Sequence, residues 1–308
     1  MAEKLAGLRV DVCTYQGLRQ GLPRVLDVLA ERKIHASIFP SMGPDRSGLA
    51  VLRMFRKRGF LGKMLRTGAA SLYGFRTALY GALLPAPLMG ARGGAVVRRA
   101  RDEGHEVGIH AWDHVRWQDR LDWLSETVIR QDYERALETY ENLLGCPPEC
   151  TASPAWLASD VSLSVEETFR FRYASDARGR GPFRPVVDGR VLALPQIPIT
   201  LPTLDEVLGR DGATADDFSK GVVAGLVPDA GNVITVHAEA EGRAYLRDFE
   251  ILLGRVASAG WRLGPLSQLL PEDRGSLPAC PVDRGLVAGR AGAVSVQGRE
   301  VSLSPDYS

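Results

Sequence analysis

The sequence predicts an α/β fold in which parallel strands form a barrel wrapped by helices. Two observations carry that reading. Apolar strand-like runs alternate with amphipathic helix-like runs along most of the chain. Polar residues also gather where the strands end, at Asp11, His110, Asp176 and His237. In a β/α barrel that end is where active sites form. The 308 residues, 45% of them apolar, suffice to bury such a core.

The elements follow in chain order. "LRVDV" reads as a buried strand that ends in the polar turn "CTYQG". Leu22, Val25, Leu26 and Leu29 then fall at helical spacing. "HASIF" is the next strand, and "HEVGIHA" is another after the helix-like "GGAVVRRARDEG". The clearest helix is "SETVIRQDYERALETYENLLG". Ser125 is placed to cap it, Ile129, Tyr133, Leu137, Tyr140 and Leu144 form its stripe, and Gly145 stops it. "FRYASD" and "GNVITVHA" are two further strands, and "RDFEILLGRVASAG" is the last helix.

Composition removes several functional classes. A net charge of +1 gives no general drive toward nucleic acid. Cys13, Cys146, Cys150 and Cys280 follow no paired framework and fit a reducing compartment. Cys146 and Cys150 have no second Cys/His pair beside them, so they read as structural. The N-terminus lacks the apolar core of a secretory signal. No apolar run reaches the ~20 residues of a membrane span.

Two segments break the pattern. Residues 46–101 contain no Asp or Glu, yet mix Lys and Arg with Phe, Leu, Met and Tyr. An interfacial membrane helix needs that mixture, so this insertion is a candidate membrane-docking segment. The bland alternative is an insertion packed on the barrel with its charges solvated. Residues 272–308 are rich in Gly, Pro and Ser. They read as a tail, loose or folded as a hairpin at "AVSVQGREVSL". The barrel is therefore expected over residues 1–271.

The chemistry concentrates in three stretches. In "GIHAWDH" His110 and His114 are four apart, so a helical turn at the strand exit would put both imidazoles on one face, able to share a metal. His237 ends the very apolar "VITVH", with Glu239 and Glu241 placed to orient or tune it. Asp11 and Cys13 point to the same side of the first strand. Two histidines, a third ligand, a carboxylate base and a protonated histidine are the equipment for hydrolysing an amide.

These residues resemble the polysaccharide deacetylase (NodB homology) superfamily, and within it the 4-deoxy-4-formamido-L-arabinose-phosphoundecaprenol deformylases. The resemblance runs over about residues 8–270. "HAWDH", "AASLYG" and "PFRP" point to the deformylases, whereas the Asp and His motifs are common to the superfamily. It implies a distorted (β/α) barrel of the NodB type and a divalent-metal site. Asp11 falls on the general base and His237 on the general acid. Cys13, His110 and His114 fall on the metal ligands. Asp176 and Arg178 fall on the site rim and Trp156 on the substrate groove, with Glu239 beside them as a substrate-binding candidate. The implied reaction removes formyl from the undecaprenyl-phosphate-linked formamido sugar. It yields formate and an amino sugar that lowers the pull of cationic peptides on lipid A. The implied place is peripheral, on the cytoplasmic side of the inner membrane, with a polyprenyl-phosphate sugar as partner and no nucleic acid.

Two positions depart from the resemblance. Leu157 stands where an arginine usually follows the groove tryptophan, which leaves an anchoring charge unassigned. Cys13 stands where the family has an aspartate ligand. Three readings of Cys13 are open: a working ligand, a small buried hydrophobe in a metal-free protein, or a substitution that disables the site. As a ligand, its thiolate favours Zn²⁺, with Mn²⁺ or Co²⁺ as alternatives. The rival functions are a sugar N-deacetylase and a metal-free binder of the lipid-linked sugar.

Overall fold

The computed structural model describes residues 4–50, 79–228 and 230–301. Its centre is β1 (Leu5–Val12). Alternation sends Leu8, Val10 and Val12 to one face of this strand and Arg9 and Asp11 to the other, all of them buried. β1 pairs in parallel with β2 (Ser37–Pro40), and β2 with β3 (Glu106–Val107). The parallel bridge Ile109–Thr151 carries the circle on to β4 (Cys150–Thr151), which pairs with β5 (Tyr173–Ala174).

After β5 the chain leaves the circle as the antiparallel hairpin β6 (Arg184–Val187) and β7 (Arg190–Val191). It returns through the parallel bridge Ala174–Gln196. Thr200 Oγ1 then accepts from the backbone N–H of Val233, 2.9 Å away, at the head of β8 (Val233–His237). β8 and β9 (Arg262–Gly264) both pair with β1 and complete the ring. The barrel is distorted as expected: several strands are two residues long, and a side chain makes one of the joins.

The core has two main parts and a small satellite cluster of Ala158, Leu163, Val187 and Leu192. Phe39, Cys150, Trp156, Tyr173, Ile197, Ile199 and Val233 form one cluster inside the ring. The outward residues of β1 and β8 pack with the helix stripes in a larger one. The helix Glu126–Leu144 carries the expected cap, with Ser125 accepting from the Val128 N–H, and the expected stop, with Gly145 at φ 74°. Ala136 is fully buried in its stripe, and Leu137 is only half-buried.

The tail differs most from expectation. Through residue 301 it is built into the fold. β10 (Ala279–Leu286) pairs in parallel with β6, and β11 (Ala293–Gln297) pairs back on β10. Backbone pairing to distant strands holds it, and local composition does not reveal such pairing. The expected partner of 293–297 was the following stretch, but β10 takes that place. The basic insertion is described only at its ends, and residues 51–78 lie outside the described residues. Its last part is the helix Met89–Asp102, which packs on the barrel. Leu83, Leu84 and Leu88 before that helix are exposed. Among the described residues, no helix is long and apolar enough to cross a membrane.

Gly21 marks the tightest approach between the first helix and the loop after β8. A methyl there would lie 1.9 Å from the Ala238 carbonyl oxygen. That contact is backbone, so no side chain can rotate away. Gly21→Ala is expected to cost about 2 kcal/mol or more, read as a lower urea midpoint. An unchanged midpoint would contradict the contact.

Candidate active site

The site is built around the exit of β1. Asp11 is paired edge-on by Arg9, two residues earlier on the same face. Arg9 Nε donates to Oδ1 at 2.6 Å and Nη2 to Oδ2 at 2.8 Å. Arg9 also donates through Nη1 to the Ser175 carbonyl and to Ser175 Oγ. Both partners of this pair are almost wholly buried. Burial alone would raise the Asp11 pKa, but Arg9, with His110 and His237, outweighs it and holds the carboxyl below its ordinary value. Asp11 is therefore ionised and fixed in place.

Past Asp11 the chain turns, and Glu239 holds that turn. Its Oε1 accepts from the N–H groups of Cys13 (2.8 Å) and Thr14 (2.7 Å) and from Thr14 Oγ1 (3.0 Å). The structure thus places Glu239 under the Cys13 turn. Register places His237 directly beside Asp11, as its β8 partner.

His110 and His114 come together, but not as neighbours on one helix. His110 lies at a strand exit, followed by Ala111 at φ 56°, and His114 is the first residue of the helix His114–Arg120. Asp113 caps that helix by accepting from the Arg116 N–H, and Arg46 Nη1 binds its other oxygen at 2.6 Å. The loop brings the two ring centroids to 5.2 Å.

His110 Nδ1 lies 2.8 Å from the Ala152 carbonyl oxygen. A carbonyl only accepts, so Nδ1 carries the proton and Nε2 presents its lone pair. That Nε2 is 3.7 Å from Cys13 Sγ. One donor atom from each of Cys13, His110 and His114 lies within 4.8 Å of the other two, the separation that a shared ion requires. Burial first of all lowers the pKa of His110 to about 4 and of His114 to about 3, so both are neutral lone-pair donors at neutral pH. Burial, with the charges of Glu239 and Asp11, pushes the Cys13 thiol well up. A coordinated cation reverses that balance and deprotonates a thiol. The three residues fit a divalent metal.

Burial would lower the His237 pKa, but Asp205, Asp11, Glu241 and Glu239 more than offset it and raise it above the ordinary histidine value. Glu241 accepts from the His237 backbone N–H at 2.9 Å. The raised pKa favours the protonated form of His237 beside an anionic Asp11.

Trp156 is buried in the wall of the site, at φ 54° in the left-handed region. Two guanidinium groups lie over its ring, Arg178 at 4.9 Å and Arg290 at 4.2 Å from the centroid. Arg178 Nη1 donates to both Glu206 oxygens, at 3.1 and 3.2 Å. Arg290 Nη1 donates to Asp205 Oδ2 at 3.1 Å. Asp176 lies deeper than the expected rim. It is 1% exposed, accepting from the Ser153 N–H and from Gln196 Nε2, both at 2.7 Å. Ser153 follows the carbonyl that orients His110, so Asp176 supports that loop. His105, near the predicted strand exit, accepts from the Ala36 N–H and faces His35, away from the other histidines.

Sequence reasoning missed Arg9, Asp205 and Arg290. A second charge, two residues before Asp11 in a buried strand, was a usable signal for Arg9. Asp205 lies within the capping box Thr203–Glu206, a local role that gives no sign of its reach to the site. Arg290 had no local signal.

The polysaccharide deacetylase family model matches residues 1–174, and this settles the lineage. The chain belongs to the polysaccharide deacetylase family. A protein of Shewanella sediminis, named "Probable 4-deoxy-4-formamido-L-arabinose-phosphoundecaprenol deformylase ArnD", is 36% identical over 94% of both chains. A protein of the same name from Wigglesworthia glossinidia brevipalpis is 30% identical, covering 91% of this chain and 98% of its own. A solved chain from Mycobacterium smegmatis is similar with a TM-score of 0.61 at 15% identity, covering 93% of this chain and 96% of its own. The Xyl-CE4 domain of a multidomain xylanase from a Trinervitermes trinervoides hindgut metagenome has a TM-score of 0.52 at 12% identity over 89% and 92%. These two likenesses speak for the fold.

The Arg9–Asp11 pair gives a direct test of the site's frame. Arg9→Met leaves a buried carboxylate unpaired and is expected to cost about 3 kcal/mol or more in stability. Adding Asp11→Asn removes the stranded charge and should recover part of that loss in chemical denaturation. A double variant as unstable as Arg9→Met would contradict this.

Proposed function

We propose that the protein is a metal-dependent deformylase acting on undecaprenyl phosphate 4-deoxy-4-formamido-L-arabinose. One observation carries the reading: three donors able to share an ion lie beside an ionised Asp11, with His237, its pKa raised, paired next to it in register. The two relatives, matched over more than nine-tenths of their own length, supply the substrate class. Held by Cys13, His110 and His114, a divalent metal would polarise a carbonyl and lower the pKa of water. A thiolate among the ligands favours Zn²⁺.

The protein's own groups divide the proton transfers. Asp11, fixed by Arg9, takes the proton of the attacking water as its oxygen adds to the formyl carbon. His237 gives a proton to the departing sugar nitrogen as the C–N bond breaks. Formate leaves, and the sugar keeps its lipid carrier and gains a free amine. Trp156, Arg178, Asp176 and Glu239 shape the walls and the turn around this centre. Peripheral contact with the cytoplasmic face of the inner membrane fits a polyprenyl-linked substrate. The acid-free 46–101 segment, with exposed Leu83, Leu84 and Leu88, is the candidate contact.

The test is product release from the formamido-sugar lipid and from its acetamido counterpart. Formate from the first, abolished by chelation and restored by Zn²⁺, is the expected result. Preferential acetate release would make the protein a deacetylase, and binding without turnover at full metal loading would make it a binding protein.

A pH profile tests the acid. Activity requires protonated His237, so the rate falls as pH rises through its raised pKa. Asp205→Asn removes the largest charge holding that proton and should move the alkaline limb to lower pH. An unmoved limb would count against His237 as the acid.

A further inference from the structure

The C-terminal hairpin is part of the wall of the candidate site. Residue Ser295 of β11 lies between the Trp156 loop and the Arg178 segment. Its Oγ accepts from the Ala158 N–H at 2.8 Å and donates to the Ala158 carbonyl at 3.1 Å, and its own carbonyl accepts from the Arg178 N–H at 2.8 Å. Gln297 N–H donates to the Arg178 carbonyl at 2.8 Å. The loop between β10 and β11 then docks on the short helix Leu204–Val207. Gly289, at φ 88°, approaches so closely that a methyl would lie 2.1 Å from the Glu206 carbonyl oxygen. This contact sets Arg290 over the Trp156 ring.

The two arginines on that ring differ in what remains available. Arg178 is spent on buried Glu206 and has a side chain 10% exposed. The Arg290 side chain is 18% exposed; its one direct hydrogen bond among the described residues goes to Asp205, and its Nε faces Glu206 Oε1 at the longer distance of 3.9 Å. A guanidinium has five N–H donors. Stacking on Trp156 fixes the plane of that fork, with the ring centroid 4.2 Å from the guanidinium carbon. A planar, pre-oriented, solvent-reaching arginine beside the candidate site suits a phosphate oxygen.

We propose that Arg290 is a specificity-determining residue that binds the phosphate joining the sugar to its lipid. This rests on the deformylase reading and names the group that reads the substrate's anion. The ligand chemistry is a phosphodiester, and a bilayer headgroup is the other source of the same anion.

The experiment compares two soluble substrates without lipid present: a short-chain prenyl phosphodiester of 4-formamido-arabinose and the phosphate-free methyl glycoside. Formate release gives kcat/KM for each, with metal content measured for every variant. The unsubstituted protein should prefer the phosphodiester, and Arg290→Gln should shrink that preference by about ten- to a hundredfold, mainly through KM. Arg290→Lys should retain part of it. A preference unchanged in Arg290→Gln, with both substrates losing equally, would make Arg290 structural and overturn the proposal. Effects seen only when anionic vesicles are added would assign the arginine to headgroups and equally overturn it. Formate from neither substrate, with metal bound, would overturn the deformylase reading and this inference with it.

Discussion

The buried ion pair between Arg9 and Asp11 is the constraint around which the site is arranged. A charge pair inside a barrel is expensive unless every donor and acceptor is used. Here both carboxylate oxygens receive a guanidinium N–H, and the remaining arginine fork goes to Ser175. The pair lies on β1, which borders β2, β8 and β9. The same strand that organises the sheet therefore carries the proposed base, and its register with β8 sets His237 beside it.

A second layer of contacts turns that frame into a site. The Ala152 carbonyl fixes the tautomer of His110, and Asp176 holds the next residue of the same loop. Glu239 fixes the turn that presents Cys13. Asp205 connects His237 electrostatically to Arg290, and Arg290 to Trp156. His110 and Cys13 are thus positioned by residues from distant parts of the chain, and Asp11 by Arg9 on its own strand, which limits their motion to what the barrel permits.

The fold was legible because its elements announce themselves locally. Ser125 and Gly145 bound a helix whose stripe needs no partner to be seen, and "GNVITVHA" reads as a buried strand in any context. The His110–His114 pair was legible from motif spacing at a strand exit, and the resemblance to the family added Cys13 to it. What was hidden depends on contacts across long sequence separations. The tail is folded by pairing with β6, about a hundred residues away, and its glycines are close-approach points as much as flexible joints. Asp176 belongs to a recognisable motif, yet its burial depends on Ser153 and Gln196, which no spacing rule connects to it.

The central claim is that a cysteine completes the metal-binding set at a position where an aspartate is usual in the family. The most direct measurement is X-ray absorption at the zinc edge of the metal-loaded protein, with zinc per chain determined on the same sample. About one zinc per chain with one sulfur neighbour at roughly 2.3 Å, lost in Cys13→Ala, is the predicted result. Zinc surrounded only by nitrogen and oxygen, or a protein that takes up no metal, would contradict it.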